Sequence, residues 1–317
     1  MSKFHIKKIS EIDQNKLKDF YSNTFKFEKS IQEHYSWRYR LGYNNFEPIV
    51  LLVNDEICGH AGLIPANIKI DNKIKQCIWF TDFFVDIKYR SLGFGKLLTK
   101  KWMKICPIQL TICNQKSLKV FKKLDWSYNN NFIKKIKVFN YLNTIPIFKN
   151  FNISQLSIKK FTKDISIEKI ENKIISKLVE KCENKYSNEK THLIRDESWF
   201  KWRIINCPYK KDIFILYFKN EYVVIHIFKK NGIKRLNIVF SLNGINQVLL
   251  NTVSNFSKKN NIDFMSYIGK KEFFLDGNIP GQKKLNFAFN SENTLEVQEI
   301  RENLKDLQFI DSDIDFI

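Results

Sequence analysis

Arginine is scarce in this chain. Only seven of the 53 basic residues are Arg, and the lysines that make up the rest are scattered along the whole sequence. Arginine is the side chain that makes most bidentate contacts with phosphates and nucleic-acid bases. We therefore interpret the formal net charge of +20 as a solvated lysine surface and expect no nucleic-acid partner. Such a surface would still attract a small anionic ligand.

Patterns typical of metal, disulfide and membrane chemistry are also missing. The six cysteines include no C-x-x-C pair, and the five histidines form no H-x-x-x-H or Cys/His cluster. We therefore expect reduced thiols and no metal site. No run approaches the roughly 18 apolar residues that a membrane-spanning helix needs, and residues 1–10 lack a signal-peptide core. These features predict a cytoplasmic protein without a membrane span.

Apolar residues, in contrast, are abundant. Hydrophobic residues make up 44% of the 317 positions and aromatic residues 15%, enough to bury the cores of two domains. The chain is organised around the stretch Trp79–Met103. Its first residues, Trp79–Val85, form an apolar run typical of a strand buried on both faces. Arg90–Gly95 interrupts the run, and Lys96–Ile105 follows with helical spacing.

A strand that leads through glycines into a helix N-terminus is a candidate anion site. The first turn of a helix has free N–H groups, and the helix dipole favours negative charge there. Gly93 and Gly95 would let the backbone approach a ligand where a Cβ would collide. Two glycines alone could equally mark a strand–helix corner that needs small residues.

The residues around these glycines favour the ligand site. The segment Val85–Gly95 (V-x-x-x-Y-R-x-x-G-x-G) resembles the acetyl-CoA signature of the GCN5-related N-acetyltransferases, the GNAT superfamily, and Asn114–Trp126 is similar to a second GNAT segment. The resemblance implies acetyl-CoA as co-substrate, with Phe84 and Val85 beside the thioester and Asn114 beside the pantetheine arm. The residues that it assigns to the cofactor loop are Arg90, Leu92, Gly93, Phe94, Gly95 and Lys96.

Acyl transfer to an amine needs a base for the amine proton and a proton for the departing thiolate. Asp82 is the candidate base because it is the only acid in the apolar run, although it could instead face the acceptor pocket without proton chemistry; Asp86 is a second choice. In the family a tyrosine often protonates the thiolate, but the matching position here is Phe121, which has no proton to donate. Tyr128, Tyr89, water or unassisted departure are the alternatives.

An internal repeat indicates a second, similar unit in the C-terminal half. Tyr35–Leu63 aligns without a gap on Phe200–Phe228, at an offset of 165 positions, so that Trp37-Arg38 falls on Trp202-Arg203. The counterpart of the glycine loop, Ser241–Asn246, contains one glycine and no arginine. We therefore expect a degenerate copy that does not hold CoA and that walls the acceptor site. Chance similarity between two α/β segments is the alternative.

These observations together predict an α+β fold with two GNAT-like domains, residues 1–145 and 146–317. Each domain would be a mixed, mostly antiparallel twisted sheet flanked by helices. We place the link between them in Tyr141–Ser166 and a helix at Ser166–Cys182. A further helix runs from a cap at Ser10 to about Phe25, and we expect a solvated acidic tail that carries Asp311, Asp313 and Asp315.

The predicted function is transfer of an acetyl or another short acyl group from acyl-CoA to a primary amine. An amino sugar or a nucleotide-linked sugar is the preferred acceptor, by analogy alone. The alternatives are a non-catalytic acyl-CoA-binding protein and a FemAB-like aminoacyl or acyl transferase, although the intact loop argues against the latter. Trp37, Arg38 and Tyr39 could line the acceptor pocket. Equally, Trp37 could be core and Arg38 part of an interdomain ion pair. The oligomeric state is left open.

Overall fold

The computed structural model describes residues 3–26, 29–140, 165–270 and 283–311. In these ranges the chain has a mixed α+β fold, in which helices flank one 13-stranded sheet. The strands are β1 (Phe4–Lys8), β2 (Ile49–Val53), β3 (Glu56–Ile70), β4 (Lys73–Val85), β5 (Ile108–Cys113), β6 (Ser127–Val138), β7 (Ser166–Glu168), β8 (His192–Leu193), β9 (Ile213–Phe218), β10 (Glu221–Lys230), β11 (Ile233–Ser241), β12 (Phe264–Lys270) and β13 (Lys283–Ser291). The helices are α1 (Gln14–Thr24), α2 (Lys29–Arg38), α3 (Ile87–Arg90), α4 (Phe94–Met103), α5 (Gln115–Lys122), α6 (Asn172–Tyr186), α7 (Glu197–Phe200), α8 (Gln247–Lys259) and α9 (Thr294–Asn303).

Two-residue turns recur at matching places in the two halves of the chain. β2 and β3 are joined by Asn54-Asp55, and β9 and β10 by Lys219-Asn220, with φ between +46° and +63° at all four residues. Asp71-Asn72 and Asn231-Gly232 join the next strand pairs, again with positive φ. Turns with two left-handed residues match the twist of antiparallel strands. The two halves therefore have hairpins of the same kind at corresponding places of the repeat.

The strand order shows how the two halves are joined. Twelve strands follow one another in the order β1-β2-β3-β4-β5-β13-β6-β12-β11-β10-β9-β7, and the short β8 pairs with β3. Strands of the N-terminal half fill one end of the sheet, and those of the C-terminal half fill the other end in reverse. Between them β13 pairs with β5 and β6 pairs with β12, so each half places a strand against the other half. The sheet thus has approximate two-fold symmetry, with the parallel pairs β4–β5 and β11–β12 at equivalent positions.

Two tryptophans lie where the halves meet. Trp37 Nε1 donates a hydrogen bond to Trp202 O at 2.8 Å, and Trp202 Nε1 donates to Trp37 O at 2.6 Å. Residues related by the repeat therefore make the same contact with each other, as residues on a two-fold axis do. The alignment of these two positions from sequence agrees with the structure.

The faces of the sheet carry different cores. Helices α4 and α5 cover the strands of the N-terminal half and bury Leu98, Trp102 and Phe121. Helix α8 covers strands of the C-terminal half through a separate cluster. The largest cluster contains buried residues of both halves, among them Tyr21 and Phe240. The two halves are therefore packed on a shared core.

The prediction of a mixed, mostly antiparallel sheet flanked by helices is confirmed, but three local predictions are wrong. Ser166–Glu168 is a strand, and the helix predicted from Ser166 begins only at Asn172. Helix α1 is capped by Asp13, whose carboxylate accepts hydrogen bonds from two N–H groups of the first turn, so Ser10 is not the cap. Asp311 is not solvated; it is buried and paired with Arg195.

Some predictions fall on residues that the structure does not describe. The boundary at 145/146 and most of the predicted link lie in residues 141–164, and Asp313 and Asp315 lie in residues 312–317, all outside the described ranges. Within those ranges no helix is long and apolar enough to cross a membrane. The same residues contain no group of three His, Cys, Asp or Glu that could hold a metal ion.

Candidate functional site

The glycine loop lies at the surface where β4 ends. Asp86 caps the short helix α3 by accepting a hydrogen bond from Lys88 N at 2.9 Å. Gly93, with φ of +80°, is the N-terminal cap of the ten-residue helix α4. A Cβ added at Gly93 would meet no atom within 4 Å, so there is open space beside the loop. The free N–H groups of the first turn of α4 are available to a ligand at this point.

The loop is anchored to the strand that precedes it. Arg90 Nε donates to Val85 O at 2.8 Å, so this predicted cofactor residue also fixes the loop to the end of β4. The Phe94 ring packs edge-to-face against Tyr89, with centroids 5.8 Å apart. All six predicted loop residues have exposed or partly exposed surface: Arg90, Leu92, Gly93, Phe94, Gly95 and Lys96.

A glycine in β3 brings α4 close to the sheet. A Cβ at Gly59 would lie 3.1 Å from Leu51 Cβ and 3.3 Å from Leu98 Cδ2. The absence of a side chain at Gly59 therefore lets α4 pack directly on the strands and places its N-terminus at the end of β4.

Strands β4 and β5 separate beside this loop. Their paired residues are Ile78 with Gln109 and Trp79 with Leu110, although β4 continues to Val85 and β5 to Cys113. Thr111 Oγ1 donates to Phe80 O at 2.8 Å and closes the narrow end of the opening. After Phe80, β4 and β5 are no longer paired, so the main-chain groups on the edge of β4 that faces β5 form no hydrogen bonds of the β4–β5 pair. The opening leads to the glycine loop.

Asn114 stands on the opposite side of the opening, where β5 ends. Its side-chain oxygen accepts a hydrogen bond from Ser117 N at 2.9 Å and caps helix α5. Asn114, which the resemblance places beside the pantetheine arm, therefore also has a structural role, because an N-cap of this kind fixes the start of a helix.

The stretch of β4 that borders the opening contains a bulge. His60 pairs with Phe84 and Gly62 with Thr81, so β4 has one residue more than β3 over this interval. Asp82 lies in the bulge with φ of +49°, a left-handed conformation that is strained for a residue other than glycine. The predicted catalytic residue and the predicted thioester neighbours Phe84 and Val85 are thus brought together.

The carboxylate of Asp82 is held by the end of α2. Arg38 Nε and Nη2 donate to its two oxygens, each at 2.9 Å, and Tyr39 Oη donates to Oδ2 at 3.0 Å. Burial alone would raise the pKa of Asp82, but the Arg38 charge and these hydrogen bonds outweigh it and hold the pKa below its ordinary value. Both oxygens are engaged, which favours a positional role. The assignment of Asp82 as general base stays a prediction.

His60 and Tyr21 belong to the same site, and the sequence analysis missed both. His60 Nδ1 lies 2.8 Å from Asp82 O, and Nε2 lies 3.2 Å from Tyr21 Oη. A carbonyl oxygen can only accept, so Nδ1 carries the proton and Nε2 accepts from Tyr21. Burial lowers the pKa of His60 to about 4, so the ring is neutral. A lone histidine in an apolar strand has no sequence signal that would distinguish it from a core residue.

The suggested pocket wall on α2 is wrong for two of its three residues. Arg38 is 3% exposed and Tyr39 is fully buried, so neither lines a surface pocket. Arg38 forms an ion pair with Asp82, which lies in the same half. Trp37 is partly buried against Trp202.

Phe121, at the position of the family's usual proton donor, is a core residue. Its ring centroid lies 4.6 Å from that of Trp126 and 5.9 Å from that of Phe80, in a cluster buried beneath α4 and α5. Tyr128 lies on β6, which β5 and β13 separate from β4, roughly 14 Å at ordinary strand spacing. Tyr89 packs in the loop instead. The strand order therefore opposes Tyr128 as a donor to the thiolate.

The corresponding loop of the C-terminal half is closed by side chains of the chain itself. Glu221 Oε1 accepts from Ser241 Oγ at 2.7 Å and from Asn243 N at 3.3 Å. Gln308 accepts from Ser241 N at 2.6 Å and donates to Ser241 O at 2.9 Å. The remaining cleft beside Gly244 has a volume of about 140 Å³, below the roughly 300–1,000 Å³ of ordinary small-molecule pockets. Neither Glu221 nor Gln308 was identified from sequence.

Comparison with known families agrees with this geometry. Residues 14–126 match the model of the acetyltransferase (GNAT) family. The matched residues contain the loop, the opening and the bulge, so this part of the chain is similar to the GNAT family. No curated protein sequence matches the chain.

Several solved structures share the fold along almost the whole chain. A GCN5-related N-acetyltransferase from Kribbella flavida is 10% identical, with a TM-score of 0.61, over 95% of this chain and 74% of its own. Saccharomyces cerevisiae N-myristoyltransferase with bound myristoyl-CoA is 12% identical, with a TM-score of 0.58, over 97% and 90%. A probable N-acyltransferase from Enterococcus faecalis V583 is 11% identical, with a TM-score of 0.55, over 96% and 75%. At these identities the likeness shows the fold, and the fold is that of GNAT proteins.

Proposed function

We propose that the chain is an acyl-CoA-dependent N-acyltransferase that transfers an acetyl, or another short acyl, group to a primary amine. The observation that carries the proposal is the opening between β4 and β5, which leads to an exposed glycine loop at the N-terminus of α4. Both features lie within the residues that match the GNAT family.

The residues present fit an acyl-CoA molecule. The free N–H groups at the start of α4 would bind the pyrophosphate, and the exposed Lys96 would add positive charge. Main-chain groups of Phe84 and Val85 border the opening where the thioester would lie. CoA supplies an activated carbonyl carbon there. Asn114 caps helix α5, and it would thereby fix the position of the helix start beside the pantetheine arm.

The narrow end of the opening supports a short acyl group. Thr111 is bonded to the Phe80 carbonyl, and the Phe80 ring stacks on Trp102 with centroids 3.9 Å apart. On the other face a Cβ at Gly62 would lie only 2.8 Å from Tyr39 Cε1. Interiors packed this tightly do not admit extra methylenes without strain. We infer an acetyl-sized donor, unlike the myristoyl-CoA bound in the yeast structure.

In the proposed reaction the amine nitrogen attacks the thioester carbonyl, a C–N bond forms and the C–S bond breaks. One proton passes from nitrogen to sulfur, which leaves as the thiol of CoA. Main-chain N–H groups near the bulge would stabilise the negative charge that develops on the carbonyl oxygen. Asp82 is the candidate base, but Arg38 and Tyr39 already bind its carboxylate, so we favour water as the carrier of the amine proton. Phe121 has no proton for the sulfur, which water would also supply.

We further propose that residues 146–317 are a degenerate copy that holds no CoA. The Glu221 carboxylate already binds a loop N–H group, and a phosphate brought to the same place would be repelled by it. Gln308 occupies the end of β11. The proposal therefore includes one acyl-CoA per chain. For the acceptor, an amino sugar or a nucleotide-linked sugar is the first class to screen, by family analogy alone.

The absence of a tyrosine at position 121 favours one alternative function, a non-catalytic protein that binds acyl-CoA without turnover. Release of the CoA thiol, measured with a thiol reagent in the presence of amino sugars, peptides and polyamines, separates the two. A thiol released only when an amine is present supports the transferase. Binding without thiol release from any amine supports the alternative.

The deciding experiment is calorimetric titration of acetyl-CoA into the wild type, a Gly93→Val/Gly95→Val variant and a Gly244→Val variant. Gly244 is the matched control, because it also has positive φ (+72°) and no atom within 4 Å of an added Cβ. Gly93→Val and Gly244→Val therefore introduce the same kind of backbone strain at a loop. We expect binding at one molecule per chain in the wild type and in Gly244→Val, and no binding in the double variant.

Two results would contradict the proposal. Absence of binding by the wild type would mean that the glycine loop is only a structural corner. Loss of binding in Gly244→Val, with folding intact by circular dichroism, would mean that the C-terminal half takes part in holding CoA.

A further inference from the structure

The bulge of β4 is held from two directions. Arg38 and Tyr39 bind the Asp82 side chain, with three hydrogen bonds of 2.9 to 3.0 Å. His60 donates to the Asp82 main-chain oxygen at 2.8 Å. All three partners are buried, at 3% exposure or less. The side chain of Asp82 is thus fixed by the end of α2 and the residue that follows it, and the main chain of Asp82 is fixed by β3.

A left-handed non-glycine residue in a strand is strained and persists only where its surroundings hold it. Asp82 is such a residue, and it lies immediately before the main-chain groups that border the opening. Bulges redirect the groups next to them. We propose that Arg38, Tyr39 and His60 are positioning residues, which act through Asp82 to hold the β4 main chain in the orientation that polarises the acyl carbonyl. This inference rests on the proposed function.

The C-terminal half provides an internal comparison. At the repeat offset Arg38 corresponds to Arg203, whereas Tyr39 corresponds to Ile204 and His60 to Ile225. β11 also has a bulge, between the pairs Ile225–Ile238 and Val224–Phe240, and the extra residue is Val239. The C-terminal half, whose loop is closed, therefore keeps the arginine but has isoleucine at the positions that correspond to Tyr39 and His60. The fold of a half does not require the polar cluster, which points to a role in the chemistry.

The C-terminal half supports the cluster through α2. Arg38 follows Trp37, whose main-chain oxygen and ring N–H are both bonded to Trp202. The end of α2 is therefore held in place by the other half. Arg38 lies at this end of α2, so the same contacts also fix where Arg38 binds Asp82. This gives the degenerate copy a mechanical function that is independent of any ligand of its own.

The test uses the carbonyl itself as the probe, so no acceptor has to be known. Acetyl-CoA labelled with ¹³C at the carbonyl is bound to each variant, and the infrared carbonyl band is compared with that of the free molecule. A main chain that polarises the carbonyl lowers the stretching frequency on binding. We expect this shift in the wild type and its loss in Arg38→Met, with the calorimetric affinity unchanged because the pyrophosphate loop is intact. Once an acceptor is found, kcat should fall on the order of 10–100-fold with KM for acetyl-CoA unchanged.

Arg203→Met is the matched control, since it removes the corresponding buried arginine from the other half. It should keep the infrared shift. The Arg38→Met/Asp82→Asn variant separates positioning from stability, because it removes the unpaired buried charge as well. We expect its melting temperature to recover relative to Arg38→Met while the shift stays lost. Arg38→Lys, which keeps the charge without the bidentate fork, should recover only part of the shift.

The outcomes distinguish the two proposals. A wild type that does not bind acetyl-CoA overturns the proposed function and this inference with it. Binding with an unchanged band in Arg38→Met, or recovery of the shift together with the melting temperature in the double variant, overturns the inference alone. Trp202→Phe, which keeps an aromatic side chain but removes the indole N–H donor, should weaken the shift. An unchanged band there removes the C-terminal half from the inference.

Discussion

The buried His60 makes a specific prediction about stability in acid. Its ring is neutral in the folded chain because burial lowers its pKa to about 4 from an ordinary value of 6.5. In the unfolded chain the ring takes up a proton below pH 6.5, whereas the folded chain does not until about pH 4. The unfolded state therefore gains free energy of protonation as the pH falls through this window, and stability is lost between pH 6.5 and pH 4.

The magnitude follows from these two values. Each unit of pKa difference corresponds to about 1.4 kcal/mol. Between pH 7 and pH 5 the unfolded ring goes from mostly neutral to almost fully protonated while the folded ring stays neutral. His60 should therefore lower the free energy of unfolding by about 2 kcal/mol over this interval. The replacement His60→Gln keeps a donor and an acceptor for Asp82 O and Tyr21 Oη but cannot be protonated in this range.

The measurement is urea unfolding of the wild type and His60→Gln at pH 7 and pH 5. Other titrating groups are common to both proteins, so the difference between the two pH effects isolates His60. We expect the wild type to lose about 2 kcal/mol more than the variant. Equal losses, or a His60 ring that titrates near pH 6.5 by NMR in the folded protein, would refute the reasoning.

Two further substitutions test the core and the C-terminal segment. Phe121→Tyr restores the hydroxyl of the family's usual acid, but because the ring lies in an aromatic cluster we expect a loss of stability of about 1–3 kcal/mol and no faster thiol release; a faster release would show that the hydroxyl reaches the sulfur. Asp311→Ala leaves the Arg195 guanidinium, bonded to both carboxylate oxygens at 2.6 and 2.7 Å, buried without this partner. Urea unfolding should show a loss of about 3–5 kcal/mol, and a loss below about 1 kcal/mol would contradict the assigned pair.

The parts of the site that could be predicted from sequence are contiguous in the chain. The strand, the glycine loop and the first turn of α4 follow one another within Trp79–Met103, so the pattern and the structure coincide there. The hairpin turns were predictable for the same reason, since Asn54-Asp55 and Asp71-Asn72 form turns through their own backbone preferences. Local preference and global fold agree in these segments.

The parts that could not be predicted depend on partners distant in sequence. In the sequence Asp82 is a single acid in an apolar run, whereas in the structure it binds Arg38, which lies 44 positions earlier. Asp311 is read as a solvated tail residue because its partner Arg195 is 116 positions away. In both cases the sequence shows the charge but not the opposite charge that makes burial favourable. The start of α6 was misplaced because Ser166–Glu168 pairs with β9, a tertiary contact that overrides local helix preference.

The two halves of the chain show which constraints come from the fold and which come from chemistry. Both halves keep the two-residue turns, the parallel central strands and the tryptophan at their contact, because the continuous sheet needs all of these on either side. Within the described residues, only the N-terminal half has an open glycine loop together with a polar cluster at its bulge. The C-terminal half has a carboxylate in the loop and keeps the arginine as Arg203, but it has apolar residues at the positions aligned with Tyr39 and His60. If the cluster served stability alone, the closed half would have had the same reason to keep it. The confinement of Tyr39 and His60 to the half with the open loop supports the proposed role of the cluster in the reaction.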